Sequence, residues 1–495
     1  MRALLIATLA LGGCGKVGEA PALPEVLVVV DTNLPVPLVA GRLRVDLYSE
    51  DGTWFDTSDF GRPDRRAWPA SFGVFSDDES RERRVWVRLR AYPEGAVDTY
   101  AGERFRDVDR PFARVGPTDR PRLARAGNDV TPATEPSPLL TVDRLVLVRL
   151  QPGHRQRVRV LLHGACAGTM VRMGPAGTPV LGDSDSCVAA EKNREPVVVA
   201  EADDDLTTPT TTVAGTWLTG ACPPRSDADE RVCIPGGATI LGSRENSDHL
   251  DGSQSQLDSA PPRVFGLSPF FVDRDELTVA GLTKIVESGY TGALPLAYEG
   301  TLAQPTPSAK LQGCTWSFTA KGRADYPVTC ASFRAARAIC QFRGGDLLTE
   351  AQWEHVATVA GHPQKARYPW GQELPTCERS IWGRVALDRP QPECGGGAGP
   401  RLPVEAQADL SPLGVRNLFG SVSEWVADDA AEFDSSAWVA TSLVDPYAVS
   451  GGARRVFRGN SWMSGPQRPF LRISPNDDGG YAPVGIRCAY ATAAP

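Results

Sequence analysis

Cysteine and histidine are the residues here best equipped for chemistry. A thiolate attacks electrophiles and holds soft metals, and an imidazole moves protons or ligates metal near neutral pH. The 495-residue chain has eleven cysteines and five histidines. Cys14 stands apart near the start. The other ten are Cys166, Cys187, Cys222, Cys233, Cys314, Cys330, Cys340, Cys377, Cys394 and Cys488. An even count behind an export signal reads as disulfides, and with no Cys-x-x-Cys pair a zinc or thioredoxin-like site has little support. Close spacing suggests Cys166–Cys187, Cys222–Cys233, Cys314–Cys330 and Cys377–Cys394, leaving Cys340 and Cys488 as a long closure. Many other connectivities satisfy the same count. His154 and His163 lie at a predicted hairpin, His355 and His362 flank the end of a predicted helix, and His249 stands alone. With no third ligand in place, they read as surface or capping residues.

Two polar motifs are weaker. Gly182-Asp183-Ser184 is a fragment known from some esterases, but without a strand–turn–helix context or a partner histidine it reads as a polar disulfide loop. Asn476, Asp477 and Asp478 rim a groove, hold a cation or, the favoured reading, form an exposed turn. The net charge of −8 is spread along the chain without a basic block. That composition argues for solubility and against a nucleic-acid partner.

The chain opens with Met1-Arg2, the apolar run ALLIATLAL and Gly12-Gly13-Cys14. This is the pattern of a secretion signal (residues 1–13), too short to span a membrane as a mature helix. "LGGC" resembles the bacterial lipobox, which implies cleavage before Cys14 and a lipid on its sulfur; several acyl chains give lasting anchorage. An ordinary signal with an incidental cysteine is the alternative. Gly15, where aspartate would favour inner-membrane retention, points to the outer membrane of a bacterial envelope. No later stretch has the length of a transmembrane helix.

Residues 14–24 read as a tether. From 25 to 165, short alternating segments predict an all-β sandwich. In "RVWVRLRAY", Val85, Val87 and Leu89 share one face and Trp86, Arg88 and Arg90 the other. The arginines read as a solvent face, with a binding stripe as the alternative. "QPGHRQ" reads as a hairpin-like turn. Residues 166–233 form a disulfide-containing transition that includes the linker-like "EADDDLTTPTTT". Beyond it, one region is clearly helical, residues 331–361. Gly344-Gly345 stops its first helix, and Thr349 with Gln352 caps the second.

"PVTCASFRAARAICQFRGGDLLTEAQWEHVA", "YPWGQE", "GVRNLFGSVSEWVAD", "RVFRGNSW" and "PVGIRCAY" occur in that order, after an opening "CIPGGATILGSRE". These blocks resemble the formylglycine-generating enzyme (sulfatase-modifying factor) family over residues 234–492. The resemblance implies an α+β, C-type-lectin-like fold after the all-β domain. It also implies a disulfide from the first helix to the last strand, here Cys340–Cys488, in agreement with the pair left over above. In the active enzymes two cysteines bind Cu(I), and oxygen converts a substrate cysteine to formylglycine. Soft Cu(I) prefers thiolates. The matching positions here hold Ser464 and Pro469. A serine hydroxyl does not ionise near neutral pH and proline has no ligand atom, so copper is not expected. Ser461 matches a serine lining the oxygen pocket. The family's calcium loop keeps Glu424, but Ser421 replaces its asparagine, leaving a weakened calcium site. A branch using iron and three histidines lacks its helical domain here. The tryptophans inside the matched blocks read as core.

Two functions are therefore expected to compete. One is a lipid-anchored, non-catalytic module serving a protein or glycan partner or envelope assembly. The other is a divergent oxidase acting on cysteine of exported sulfatases or other proteins, with other metal ligands such as a reduced Cys314–Cys330 pair.

Overall fold

The computed structural model describes residues 23–93, 124–125, 128–129, 136–175, 177–188, 194–206, 211–222, 230–243, 256–257, 259–299, 313–319, 322–384, 394, 399–400, 408–465, 471–475 and 479–492. Cys14, His249, Pro469 and Asn476–Asp478 lie outside them.

Among the described residues, short two-stranded pairs join Ala124–Arg125 with Asn128–Asp129 and Asp185–Cys187 with Arg194–Pro196. The sandwich itself is built from β1 (Glu25–Thr32), β2 (Arg42–Ser49), β3 (Trp54–Gly61), β4 (Ala70–Phe75), β5 (Arg83–Tyr92), β6 (Val142–Leu150) and β7 (Arg155–Leu162). They form two sheets, ordered β4-β1-β7 and β3-β2-β5-β6. Alternate residues meet between the sheets: Val28 and Val30 of β1, Val87 and Leu89 of β5, Val146 and Val148 of β6, Val158 and Val160 of β7. The period-two pattern thus delivers one apolar face per strand to a shared core.

Two expectations need correcting. "QPGHRQ" is not a hairpin turn: β6 pairs with β5, whereas β7 runs parallel to β1 in the other sheet. The connection crosses the sandwich, which a tight polar turn permits as readily as a hairpin. Nor do all the β2 and β5 arginines face solvent, as Arg83 does. Arg42, Arg44 and Arg90 are buried, with Asp46 and Asp59 set among them. Arg42 Nη2 lies 2.8 Å from Asp59, Arg90 Nη2 2.5 Å from Asp46, and the part-exposed Arg88 2.7 Å from Asp143. Asp46 stands opposite Arg88 in the ladder, so cross-strand pairing neutralises the face. These guanidiniums hold the Asp46 carboxyl at about 2 although burial pushes it up.

The stretch read as a linker is packed at both ends. Asp203 bridges to Arg157. Thr212 and Val213 donate to Asp31. Trp217 joins the sandwich core, which also takes in Ile240 and Val264 of the C-terminal part. Gly164 and Gly266 leave the space this wedge fills. A Cβ on Gly164 would come within 2.3 Å of the Trp217 ring, and one on Gly266 within 2.0 Å of Leu218.

The C-terminal part mixes short strands with helices. In chain order they are β8 (Arg231–Ile234), β9 (Gly237–Leu241), β10 (Gln256–Leu257), β11 (Arg263–Leu267), β12 (Phe270–Asp273), α1 (Val279–Glu287), α2 (Phe333–Phe342), β13 (Asp346–Leu347), α3 (Glu350–Thr358), β14 (Ser423–Asp429), α4 (Ser436–Val439), β15 (Arg455–Arg458), β16 (Arg472–Ile473), β17 (Val484–Gly485) and β18 (Cys488–Ala491). One sheet runs β8-β12-β18-β13, a second β10-β16-β15-β14-β17, and β9 pairs with β11. The expected capping box is present: Thr349 accepts from Gln352 N, and Gln352 returns the bond. Helix α1 was not expected; Thr278 caps it. Disulfides join Cys166–Cys187, Cys222–Cys233, Cys314–Cys330, Cys340–Cys488 and Cys377–Cys394. Among the described residues no helix is long and apolar enough to cross a membrane.

Candidate functional site

Two chain segments, residues 381–384 and 419–421, converge on the turn that carries the serines. Asn460 N donates to Phe419 O, Trp462 N to Ser421 O, and Ser421 N in turn to Ile381 O. Gly383 N donates to Ser464 O and Arg384 N to Trp462 O. Gly459 enters the turn at φ +82°, a left-handed conformation that a side chain resists, with Trp353 3.0 Å from where its Cβ would be. Trp462 is fully buried against Ile381 and Val422 and fixes the platform from beneath. The turn then holds Ser461 Oγ 3.0 Å from Ser464 Oγ, and Ser461 Oγ also accepts from Met463 N at 3.3 Å.

This donor set does not fit copper. Two hydroxyls in mutual contact are hard, neutral ligands. The ten cysteines beyond Cys14 are all committed to bridges. The Cys314–Cys330 bridge is fully buried, although its neighbour Gly313 packs against the Trp462 ring.

Glu424 is equally committed. Its Oε1 accepts from Arg487 Nε at 2.8 Å and its Oε2 from Trp353 Nε1 at 2.7 Å. A cation held by Glu424 would have to displace the guanidinium. Ser421 is buried at φ +68°, and among the described residues its hydroxyl has no hydrogen-bond partner. Behind it, Asn417 donates to Glu276, whose carboxyl burial pushes up to about 8. Asp409 accepts from Ser380 Oγ at 2.6 Å and Gly420 N at 2.8 Å, and burial raises it to about 6. Sequence reasoning missed Arg487, Glu276 and Asp409. Arg487 lay inside a matched block, but its partner is distant in sequence. Asp409 carries no local signal.

A second buried cluster holds helix α3. Glu350 accepts from Arg458 at 3.0 Å and from Arg472 Nε at 2.9 Å. Glu354 pairs with Arg458 and Lys365. Asp428 accepts from Glu350 N, and burial, aided by the Glu350 charge, lifts its carboxyl to about 7.

Among the described residues the histidines form no metal-binding group. His163 caps a short turn by accepting from Ala165 N, and His362 contacts Pro369 O. His355 departs from the surface or capping reading: it is buried, and burial pushes it down to about 4. Among the described residues no three His, Cys, Asp or Glu side chains group to hold a metal. Ser184 lies buried in the Cys166–Cys187 loop, where it accepts from Val180 N. Of the four tryptophans inside the matched blocks, Trp353, Trp425 and Trp462 are buried as expected, while Trp370 is part-exposed and stacks on Tyr368; Trp316, Trp382 and Trp438, outside those blocks, are buried too.

The model of the sulfatase-modifying factor enzyme 1-like domain matches residues 220–492, more than half the chain. The chain belongs to this family. Its α+β domain therefore has the C-type-lectin-like formylglycine-generating-enzyme fold. The chain is 28% identical over 301 residues to the formylglycine-generating enzyme of Thermomonospora curvata, covering 54% of this chain and 95% of the relative. It is 27% identical over 179 residues to the inactive C-alpha-formylglycine-generating enzyme 2 of Bos taurus, covering 34% and 52%. The structure of PvdO from Pseudomonas aeruginosa aligns with a TM-score of 0.36 at 19% identity, over 52% of this chain and 93% of PvdO.

Proposed function

We propose that the formylglycine-generating-enzyme-like domain is non-catalytic and serves binding or envelope assembly on a lipoprotein anchored through Cys14. The observation that carries this reading is Ser464 Oγ resting on Ser461 Oγ where the family's copper thiolate belongs. Without a soft ligand the domain cannot gather Cu(I), and the fold alone does not supply the reaction. The partner is a protein or glycan of the bacterial envelope, on the outer membrane in preference to the inner.

The test is Cu(I) titration of the oxidised mature chain against a competing chelator. No tight binding is expected. Ser464→Cys combined with Pro469→Cys should gain it. Tight binding by the unaltered protein would overturn the reading. The alternative, a divergent oxidase, draws on the position of Cys314–Cys330, one residue from the wall that packs on Trp462. It predicts copper binding only after that bridge is reduced, together with oxygen uptake on a cysteine-containing peptide.

A further inference from the structure

A groove of about 470 Å³ opens where α2 ends against the β8-β12-β18-β13 sheet, and it shares no residue with the Ser461 platform. Its volume lies in the range of small-ligand and short-peptide sites. Phe270, Leu347, Ala427 and Ala489 give it an apolar floor. Its rim carries three formal charges. Arg337 forks onto Asp346, with Nε–Oδ1 at 3.0 Å and Nη2–Oδ2 at 2.9 Å, so these two cancel. Arg337 also donates to the Tyr447 hydroxyl at 3.3 Å.

The third charge is Asp445. Its carboxylate accepts from Ser268 N at 2.8 Å and Ser268 Oγ at 2.7 Å, both neutral donors. No cation among the described residues pairs with it. Its backbone sits at φ +50°, a left-handed turn that aspartate tolerates better than most residues. Two helix ends meet the lining, the carboxyl end of α2 through Gly344 and Gly345 and the amino end of α3 through Thr349, so their dipoles oppose and Asp445 sets the sign of the field.

We propose that this groove binds a short peptide segment in which a lysine or arginine is flanked by apolar side chains. The cation pairs with Asp445, and the apolar neighbours cover the floor. Charge complementarity selects this occupant: among the described residues the rim is left with one negative charge that no cation offsets, and an acidic or neutral apolar segment would leave it unpaired. The site goes beyond the non-catalytic reading and does not depend on it, because a copper-binding chain would keep the groove.

The probes are N-acetyl-Leu-Lys-Leu amide and its glutamate counterpart, titrated into the full chain and followed by calorimetry. The lysine peptide should bind at least tenfold more tightly than the glutamate peptide, and less tightly at high salt. Asp445→Asn keeps the left-handed turn and an acceptor for Ser268 N while removing the charge. It should weaken the lysine peptide at least tenfold with the unfolding midpoint unchanged. Failure of the lysine peptide to bind, equal binding of both peptides, or an undiminished affinity in Asp445→Asn would each overturn the assignment.

Discussion

Arg487 is buried completely between the Glu424 carboxylate and the Glu276 carboxyl group, and what it does there is set by charge rather than shape. It donates to Glu424 and lies 4.0 Å from Glu276. Replacing it by methionine would leave Glu424 buried without its cation. Arg487→Met should cost about 3–5 kcal/mol, read from urea unfolding. Glu276 makes a second test. Its folded pKa of about 8 lies above its ordinary value because burial favours the protonated form. The native state therefore holds a proton that the unfolded chain releases between about pH 4.5 and 8. Stability from this group is full below that window and declines as pH rises through it. Glu276→Gln should flatten the fall in unfolding midpoint between pH 5 and 8. An unchanged slope would place the titration elsewhere. His355 acts in the opposite sense, losing stability as pH falls from its ordinary value toward about 4. The comparison of variant with parent cancels that contribution.

Helix α3 was legible because its signal is local. Thr349 and Gln352 lie three residues apart, and their reciprocal bonds close within one turn. Thr349→Ala should cost about 1 kcal/mol in the same unfolding measurement. Helix α1 was illegible because "VAGLTKIVE" mixes a glycine with β-branched residues, which are weak helix formers, and packing of Val279, Leu282 and Ile285 decides it. The sandwich strands were visible as alternation, but the polar turn after β6 is compatible with either a hairpin or a crossing between sheets. Which sheet β7 joins depends on β1, over a hundred residues earlier in the chain. The site divides in the same way. Ser461, Ser464 and Glu424 stand in contiguous motifs, whereas Arg487, Glu276 and Asp409 reach them only through folding.

At the scale of the whole molecule, the sandwich and the lectin-like domain share one apolar cluster, with Trp217 as the wedge between them. A packed junction of this kind couples the unfolding of two domains that composition alone would separate. Trp217→Ala should cost about 3–5 kcal/mol. It should also split a single calorimetric transition into two. One transition in both proteins would mean that the junction does not depend on this residue.

Strand β18 sits inside its sheet, between β12 and β13, yet of that sheet's four strands it comes last in chain order. Cys488, its first residue, closes a bridge to Cys340 across 148 residues. The ribosome therefore delivers the middle of this sheet last. Until it arrives, β12 and β13 face a gap with unpaired backbone edges, and Cys340 keeps a free thiol. A chain cut short before Cys488 keeps nearly all its residues but neither the sheet nor the bridge. Such a fragment would leave two strand edges open to mispairing and to proteolysis, so closure of this sheet waits on its most sequence-distant member.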